Sequence, residues 1–280
     1  MILVVDSGST KSDWVLIEGK NVTQKFETIG FNPLFNDSNF ITHAIQQNSR
    51  LMAIAPNIAA VFYYGAACSS TQRKDIVAKG LQSVFIDSKI TVDHDLNAAA
   101  YATYSGEPGI ACILGTGSNS CYIDNQQVSE VIPSLGYILG DEGSGSFYGK
   151  QLLSAFLYHH LPEEIEIAFQ KKYALNKEII FDKIYKQPNA NVFLASFMSF
   201  IFEHKNHPYF NEMLINGMEL FMKTHVCCYP NFKTIKTHFV GSIGYYFEDT
   251  LKIAAENIGI QIGEIIHKPI DGLVRYHLVR

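Results

Sequence analysis

Apolar residues run over 2–5 and again over 14–17, and between them lies the polar stretch Asp6-Ser7-Gly8-Ser9-Thr10-Lys11-Ser12-Asp13. Two apolar runs around a turn rich in Gly, Ser and Thr predict a hairpin, with Asp6 ending its first strand. A turn at Glu18-Gly19 leads into a third predicted strand over 20–29, which ends at Gly30-Phe31-Asn32-Pro33. The pattern then predicts a helix over 38–50, a buried strand over 59–64, a helix over 71–84 and a short strand over 90–92. Asp93-His94-Asp95 follows, and helix continues through Ala98-Ala99-Ala100-Tyr101-Ala102 until Ser105-Gly106-Glu107-Pro108-Gly109 breaks it. A meander followed by alternating strands and helices points to an α/β fold, a mixed sheet with helices on its faces.

The pattern restarts with a strand over 110–114, a polar turn Gly115-Thr116-Gly117-Ser118-Asn119, and strands over 120–123 and 127–132. Gly136-Tyr137 then falls where Gly30-Phe31 stood in the first copy. Such an internal repeat implies two related domains, expected at 1–109 and 110–267, facing each other over a central cleft with a nucleotide met by a polar tip from each side. Beyond 148 the chain reads as helices over 149–160, 163–173 and 192–202. Phe210, Met213, Leu214, Met218 and Phe221 add an amphipathic stripe, so a helical insertion is expected over about 150–230. A strand over 238–240, the turn Gly241-Ser242-Ile243-Gly244, a helix over 245–257, a strand over 262–266 and a closing helix over 271–278 complete the reading. The segment 268–280 is expected to pack back on the first domain.

Length and composition narrow the function classes. A chain of 280 residues has room for roughly two domains, and 47% hydrophobic against 18% charged residues marks a globular protein. A net charge of -5, with no run of Lys or Arg, gives nucleic acid no basic face. The apolar start is too short for a secretion signal and the longest apolar run, 58–68, is well short of the ~20 residues that span a bilayer, so a cytoplasmic protein without a membrane partner is expected. Five cysteines without C-x-x-C spacing fit thiols in a reducing compartment, and the adjacent Cys227-Cys228 suits helix packing better than a mutual disulfide.

Several stretches carry candidate chemistry. Gly8 lets backbone approach an anion, Ser9 and Thr10 can donate to it, and Asp6 could hold Mg²⁺ through water; the same residues also suit an ordinary tight turn. Asp95, between a short strand and a helix, is the candidate base for an attacking hydroxyl, with Asp93 as rival and helix N-capping as its structural alternative. Leu139-Gly140-Asp141-Glu142-Gly143-Ser144-Gly145 sets two acids among glycines ahead of a helix, where the macrodipole favours them and where a polyhydroxyl ligand could lie against backbone. Gly241-Ser242-Ile243-Gly244 could take an adenosine, while His204 and His207 lack partners for a metal site and read as solvent-facing.

In this order the pieces resemble the acetate and sugar kinase, Hsp70 and actin superfamily. More narrowly they resemble the family joining N-acetylglucosamine kinases to the ATPase activators of radical acyl-CoA dehydratases and benzoyl-CoA reductase. The resemblance covers essentially the whole chain. Asp6-Ser7-Gly8-Ser9-Thr10-Lys11 is similar to the first phosphate motif, Asp95-Leu96-Asn97-Ala98-Ala99 to the connecting motif and Leu114-Gly115-Thr116-Gly117-Ser118-Asn119 to the second phosphate motif. Val240-Gly241-Ser242-Ile243-Gly244 stands where the adenosine motif belongs, and Gly140-Asp141-Glu142-Gly143-Ser144 points to the amino-sugar kinase branch.

The resemblance implies two ribonuclease H-like, actin-like ATPase domains, with ATP and Mg²⁺ as cofactors. It implies Asp95 as base, Asp6 ordering Mg²⁺, and Gly8, Ser9, Thr10, Lys11, Thr116, Gly117, Ser118, Gly241 and Ser242 around the nucleotide. Asn32, Asp95, Gly136 and Asp141 would meet the sugar. Leu135 departs from the Trp that relatives carry beside the sugar, and the Gly-Ser-Ile-Gly turn is sparser than usual. The expected activity is phosphorylation of the 6-hydroxyl of N-acetylglucosamine or a close amino sugar. The rivals are an iron–sulfur ATPase activator, for which Cys112 and Cys121 look too internal, and a non-catalytic sugar sensor or filament subunit. The stretch 192–221 offers a face for a homodimer.

Overall fold

The computed structural model describes residues 1–8 and 11–279. In it the chain divides into two compact units, Met1–Gly106 joined by the segment from Lys268 onward, and Glu107–His267. In the first unit, β1 (Ile2–Ser7) lies at the centre of a five-stranded sheet of order β3-β2-β1-β4-β5. β2 (Lys11–Glu18) and β3 (Asn21–Ile29) continue antiparallel from it, whereas β4 (Ala60–Gly65) and β5 (Lys89–His94) are parallel to it. Leu3, Val4 and Val5 of β1 are all buried, as a strand covered on both faces requires. One face packs Trp14, Leu16, Phe31, Ile41, Leu81 and Phe85 beneath α1 (Ser38–Gln46), α2 (Ser49–Ile54) and α3 (Thr71–Gln82). Across the other run α4 (Asp95–Thr103) and the chain's closing helix, Ile270–Leu278. That helix is tied down where Tyr64 Oη and His277 Nε2 meet at 3.0 Å, and a Cβ on its Gly272 would fall 2.4 Å from the Ala102 carbonyl.

The second unit repeats this topology. β6 (Gly109–Leu114) is central, with β7 (Ser118–Asp124) and β8 (Gln127–Ser129) antiparallel on one side. β9 (Lys236–Val240) and β10 (Gln261–Ile266) are parallel on the other side. These two mixed, helix-flanked sheets are the α/β architecture the sequence predicts. The core is extended by helices inserted between β8 and β9: α5 (Gly136–Leu139), α6 (Gly145–Leu157), α7 (Glu163–Tyr173), α8 (Lys177–Tyr185), α9 (Ala190–Ala195), α10 (Met198–Glu203) and α11 (Pro208–His225). The amphipathic stripe is the buried face of α11, where Phe210, Leu214, Met218 and Phe221 join the core. Most of the apolar residues in 192–221 are thus consumed inside the unit, leaving Phe202 and Leu220 among the exposed ones. α12 (Ser242–Tyr246) and α13 (Glu248–Ile258) follow β9, and the closing helix is α14.

Several predicted helices are broken by identifiable side chains. The helix over 38–50 ends at Gln46 because Asn48 caps a new one, its side chain accepting from Leu51 N at 3.2 Å. The segment 192–202 splits around Ser196 and Phe197, and 245–257 splits at Phe247. α8 went unpredicted, although Asn176 caps it by accepting from Ile179 N at 2.9 Å. α6 and α9 meet so closely that a Cβ on Gly149 would lie 1.9 Å from the Leu194 carbonyl. Gly149→Ala should therefore destabilise the protein by roughly 3 kcal/mol, read as a lower urea midpoint, because two backbones must separate to admit a methyl group.

Candidate active site

In the first unit the chemistry gathers at the carboxyl ends of the parallel strands, where α/β folds bind their ligands. Asp6 ends β1, and Asp93 and His94 end β5. Ser7 Oγ and Ser12 Oγ lie 2.6 Å apart inside the hairpin, and Ser7 Oγ accepts from Phe31 N at 3.2 Å. Phe31, fully buried and stacked on Tyr63, thus fixes the loop that carries Asn32. Asn32 Oδ1 accepts from Leu34 N at 3.0 Å, which sets its side chain within that loop. Gly8 N donates to Lys11 O at 2.9 Å, and a Cβ on Gly8 would lie 3.6 Å from that same oxygen. Ser9 and Thr10, assigned to phosphate from the sequence, lie outside the described residues.

Asp6 pairs in register with Asp13 across the hairpin. Its carboxyl is pushed up to about 7, first by burial and then by the charges of Asp13 and Asp95, against the pull of Lys268. Lys268 itself is held 2.7 Å from Asp13 Oδ2. A carboxylate crowded by two others is a place where a divalent cation would relieve repulsion. Among the described residues no group of three or more His, Cys, Asp and Glu is arranged to hold a metal. Lys11, assigned to phosphate from the sequence, lies beside Glu27 and 3.4 Å from Asp13 Oδ1.

The two rival acids separate clearly. Burial works to raise the Asp93 pKa, but hydrogen bonds from Lys74 Nζ and Asn97 Nδ2, each at 2.7 Å, and from His94 N at 2.9 Å outweigh it and hold the carboxyl below its usual range. Asp93 is therefore a structural anion. Asp95 is the first residue of α4, with His94 in the capping position. His94 Nε2 lies 3.1 Å from Asp95 Oδ1 and fixes that carboxylate beyond the end of β5.

In the second unit the turn after β6 is built from backbone. Gly115 N donates to Gly117 O at 3.0 Å, while the amides of Gly145 and Ser146 donate to the carbonyls of Gly115 and Thr116 at 2.8 and 3.0 Å. The N-terminus of α6 thus holds this turn in place. Asp141, buried and at φ +56°, accepts from Ser118 N at 3.3 Å and from Ser134 Oγ at 3.4 Å. A Cβ on Gly117 would fall 2.9 Å from Asp141 Oδ2, so only glycine lets the carboxylate lie over the turn. Burial is the main cause that raises the Asp141 pKa, with Glu142 adding to it. Gly241, at φ +125°, follows β9 and donates to Ile266 O at 2.9 Å, with Ser242 opening α12 beside it.

Thr116, Gly117, Ser118 and Asp141 therefore form one constellation, and Gly241 approaches the same turn through the Leu114 carbonyl. Gly136, assigned to the sugar, opens the one-turn helix α5 instead of a loop. His94, Asp13, Ser134 and Lys268 went unsingled in the sequence. Asp13 was recoverable, since a hairpin turning near residue 9 must set it opposite Asp6; the others depend on contacts that spacing does not encode. His207 Nε2 lies 3.0 Å from Glu164, and His204 Nδ1 2.9 Å from the Phe200 carbonyl. No helix among the described residues is long and apolar enough to cross a membrane.

No protein-family model and no curated protein matches the chain. Among solved structures it is similar to one described as a “putative N-acetylglucosamine kinase” from Porphyromonas gingivalis, at 35% identity and a TM-score of 0.94, over 100% of this chain and 99% of the other. A second so described, from Chromobacterium violaceum, is 14% identical with a TM-score of 0.62 over 98% of each chain. A ROK-family glucokinase from Streptomyces griseus, solved with glucose and AMPPNP, shares the fold at 14% identity and a TM-score of 0.55, over 98% of this chain and 97% of that one.

Proposed function

We propose the activity that follows from one premise: the chain belongs to the N-acetylglucosamine kinase family of the sugar kinase, Hsp70 and actin superfamily. It is an ATP-dependent phosphotransferase acting on an amino-sugar hydroxyl, the 6-hydroxyl of N-acetylglucosamine being the reading favoured here. The observation that carries it is the division of labour among three acids. Asp93 is fully engaged, Asp6 is crowded by like charge, and Asp95 stands at a strand end with a histidine to orient it.

Asp95 takes the proton as the sugar hydroxyl attacks phosphorus. The backbone around Gly8, Thr116, Gly117 and Ser118 holds phosphate oxygens, where positioning and charge stabilisation do most of the work of phosphoryl transfer. Asp6 would hold Mg²⁺ through water, and the cation when bound supplies positive charge against the phosphates. Asn32, Gly136 and Asp141 contact the sugar, and Gly241 and Ser242 lie against the adenosine. Burial of Cys112 and Cys121 within the sheet, with the Cys112 thiol pushed far up, speaks against a thiolate-bound iron–sulfur cluster and the electron-transfer reading.

A panel of amino sugars assayed for ADP release tests the proposal. N-acetylglucosamine should give the highest kcat/KM, and ADP release indifferent to added sugar would overturn it. Asp141→Asn keeps an oxygen for Ser118 N but removes the negative charge, so the sugar KM should rise ~10-fold while the ATP KM stays within about twofold.

A further inference from the structure

A cavity of about 760 Å³ opens on the second unit away from the Gly115–Ser118 turn, between α5, α6, α8 and α9. That volume falls within the ~300–1,000 Å³ usual for small-molecule sites. Its floor is apolar, formed by Leu153, Ile180 and Leu194, all nearly inaccessible to solvent. No Asp or Glu lines it, although the chain carries more acids than bases. The basic side chains in its wall are Lys150, Lys177 and His159, and His159 Nδ1 already lies 2.7 Å from Glu166.

Among the described residues neither lysine has a carboxylate partner. Lys150 Nζ donates to the Tyr137 carbonyl at 3.1 Å, and Lys177 Nζ lies 5.3 Å from the Phe181 ring centroid. Lys177 is also the first residue of α8, where a cation opposes the helix dipole and an anion would relieve it. Glu178, its neighbour in the chain, is not part of the lining. We infer that this cavity binds an amphipathic anion, a carboxylate or phosphate monoester on an aliphatic body, with the head group at Lys150 and Lys177 and the tail along the accessible Leu157, Phe181 and Ile184.

The site also reaches the proposed sugar contacts. Tyr137 and Ile138 of its wall belong to α5, which begins at Gly136 and leads into Asp141. An anion that draws Lys150 from the Tyr137 carbonyl releases a hydrogen bond holding α5, so occupancy should alter the sugar KM more than kcat. This coupling rests on the kinase reading, whereas the binding does not.

Binding is tested by titration calorimetry of the full chain with dodecanoate, dodecyl phosphate and dodecyltrimethylammonium. Saturable binding of either anion, weakened roughly tenfold in Lys177→Met and abolished by filling the cavity in Ser154→Trp, is the expected result. The stronger of the two anions identifies the head group. Equal binding of the cation, or no saturable binding to a wild-type chain that still unfolds cooperatively, overturns the site. Saturable binding without any change in the sugar KM keeps the site and overturns the coupling. A chain that binds dodecanoate yet phosphorylates no sugar would instead refute the kinase reading.

Discussion

Asp95→Asn is expected to lower kcat by ~10²–10⁴-fold while ATP binding persists, the range for loss of a well-placed general base. The amide keeps the size of the carboxylate but accepts no proton at neutral pH. The substitution is informative because of its control. Asp93, two residues earlier, is the other acid a sequence would offer, but it is bonded by Lys74, Asn97 and the His94 amide. Asp93→Asn should therefore act chiefly on stability, lowering the thermal midpoint and leaving most of kcat. Single-turnover rates with ATP affinity measured in parallel distinguish the two; equal kcat losses in both variants would contradict the assignment of roles.

Asp6→Asn should separate activity from stability in opposite directions. Its folded pKa is raised from 3.8 to about 7, by burial first and by Asp13 and Asp95 after it. Between those values the folded chain holds a proton that the unfolded chain has lost. The group is thus least harmful below pH 3.8, and stability falls as pH rises through the window up to about 7. Without divalent cation the asparagine variant should be more stable above pH 7, on the order of 2 kcal/mol. That is about half of what the full shift would give, since the carboxylate is not sealed from water. It should also lose roughly 10²–10³-fold in kcat, as removal of a preorganised electrostatic group does. Urea unfolding at pH 5 and pH 8 reads the first effect; a variant no more stable at pH 8 would show that Asp6 is not strained.

Much of this was legible in the chain because it is local. The run 2–5 and the glycine-containing turn declare a hairpin, and the same signal at 110–117 declares its repeat, so the antiparallel strands of each sheet follow from one pattern read twice. What spacing could not show depends on partners distant in sequence. α8 hid because Lys177, Glu178, Asp182 and Lys183 surround its few core residues, such as Ile180. The helix break at Asn48 turns on whether one side chain folds back onto Leu51 N. The pairing of β2 with β3 brings Glu27 within reach of Lys11, a contact that the motif does not encode. Asp141 reads as a helix-start acid; that it lies over Gly117 is visible only once the strand and the loop are folded together.

The most direct test is phosphorus NMR of the products formed from ATP and N-acetylglucosamine. The expected spectrum contains ADP and an equimolar phosphomonoester whose phosphorus couples to the two protons of an exocyclic methylene. Inorganic phosphate beside unmodified sugar would contradict it.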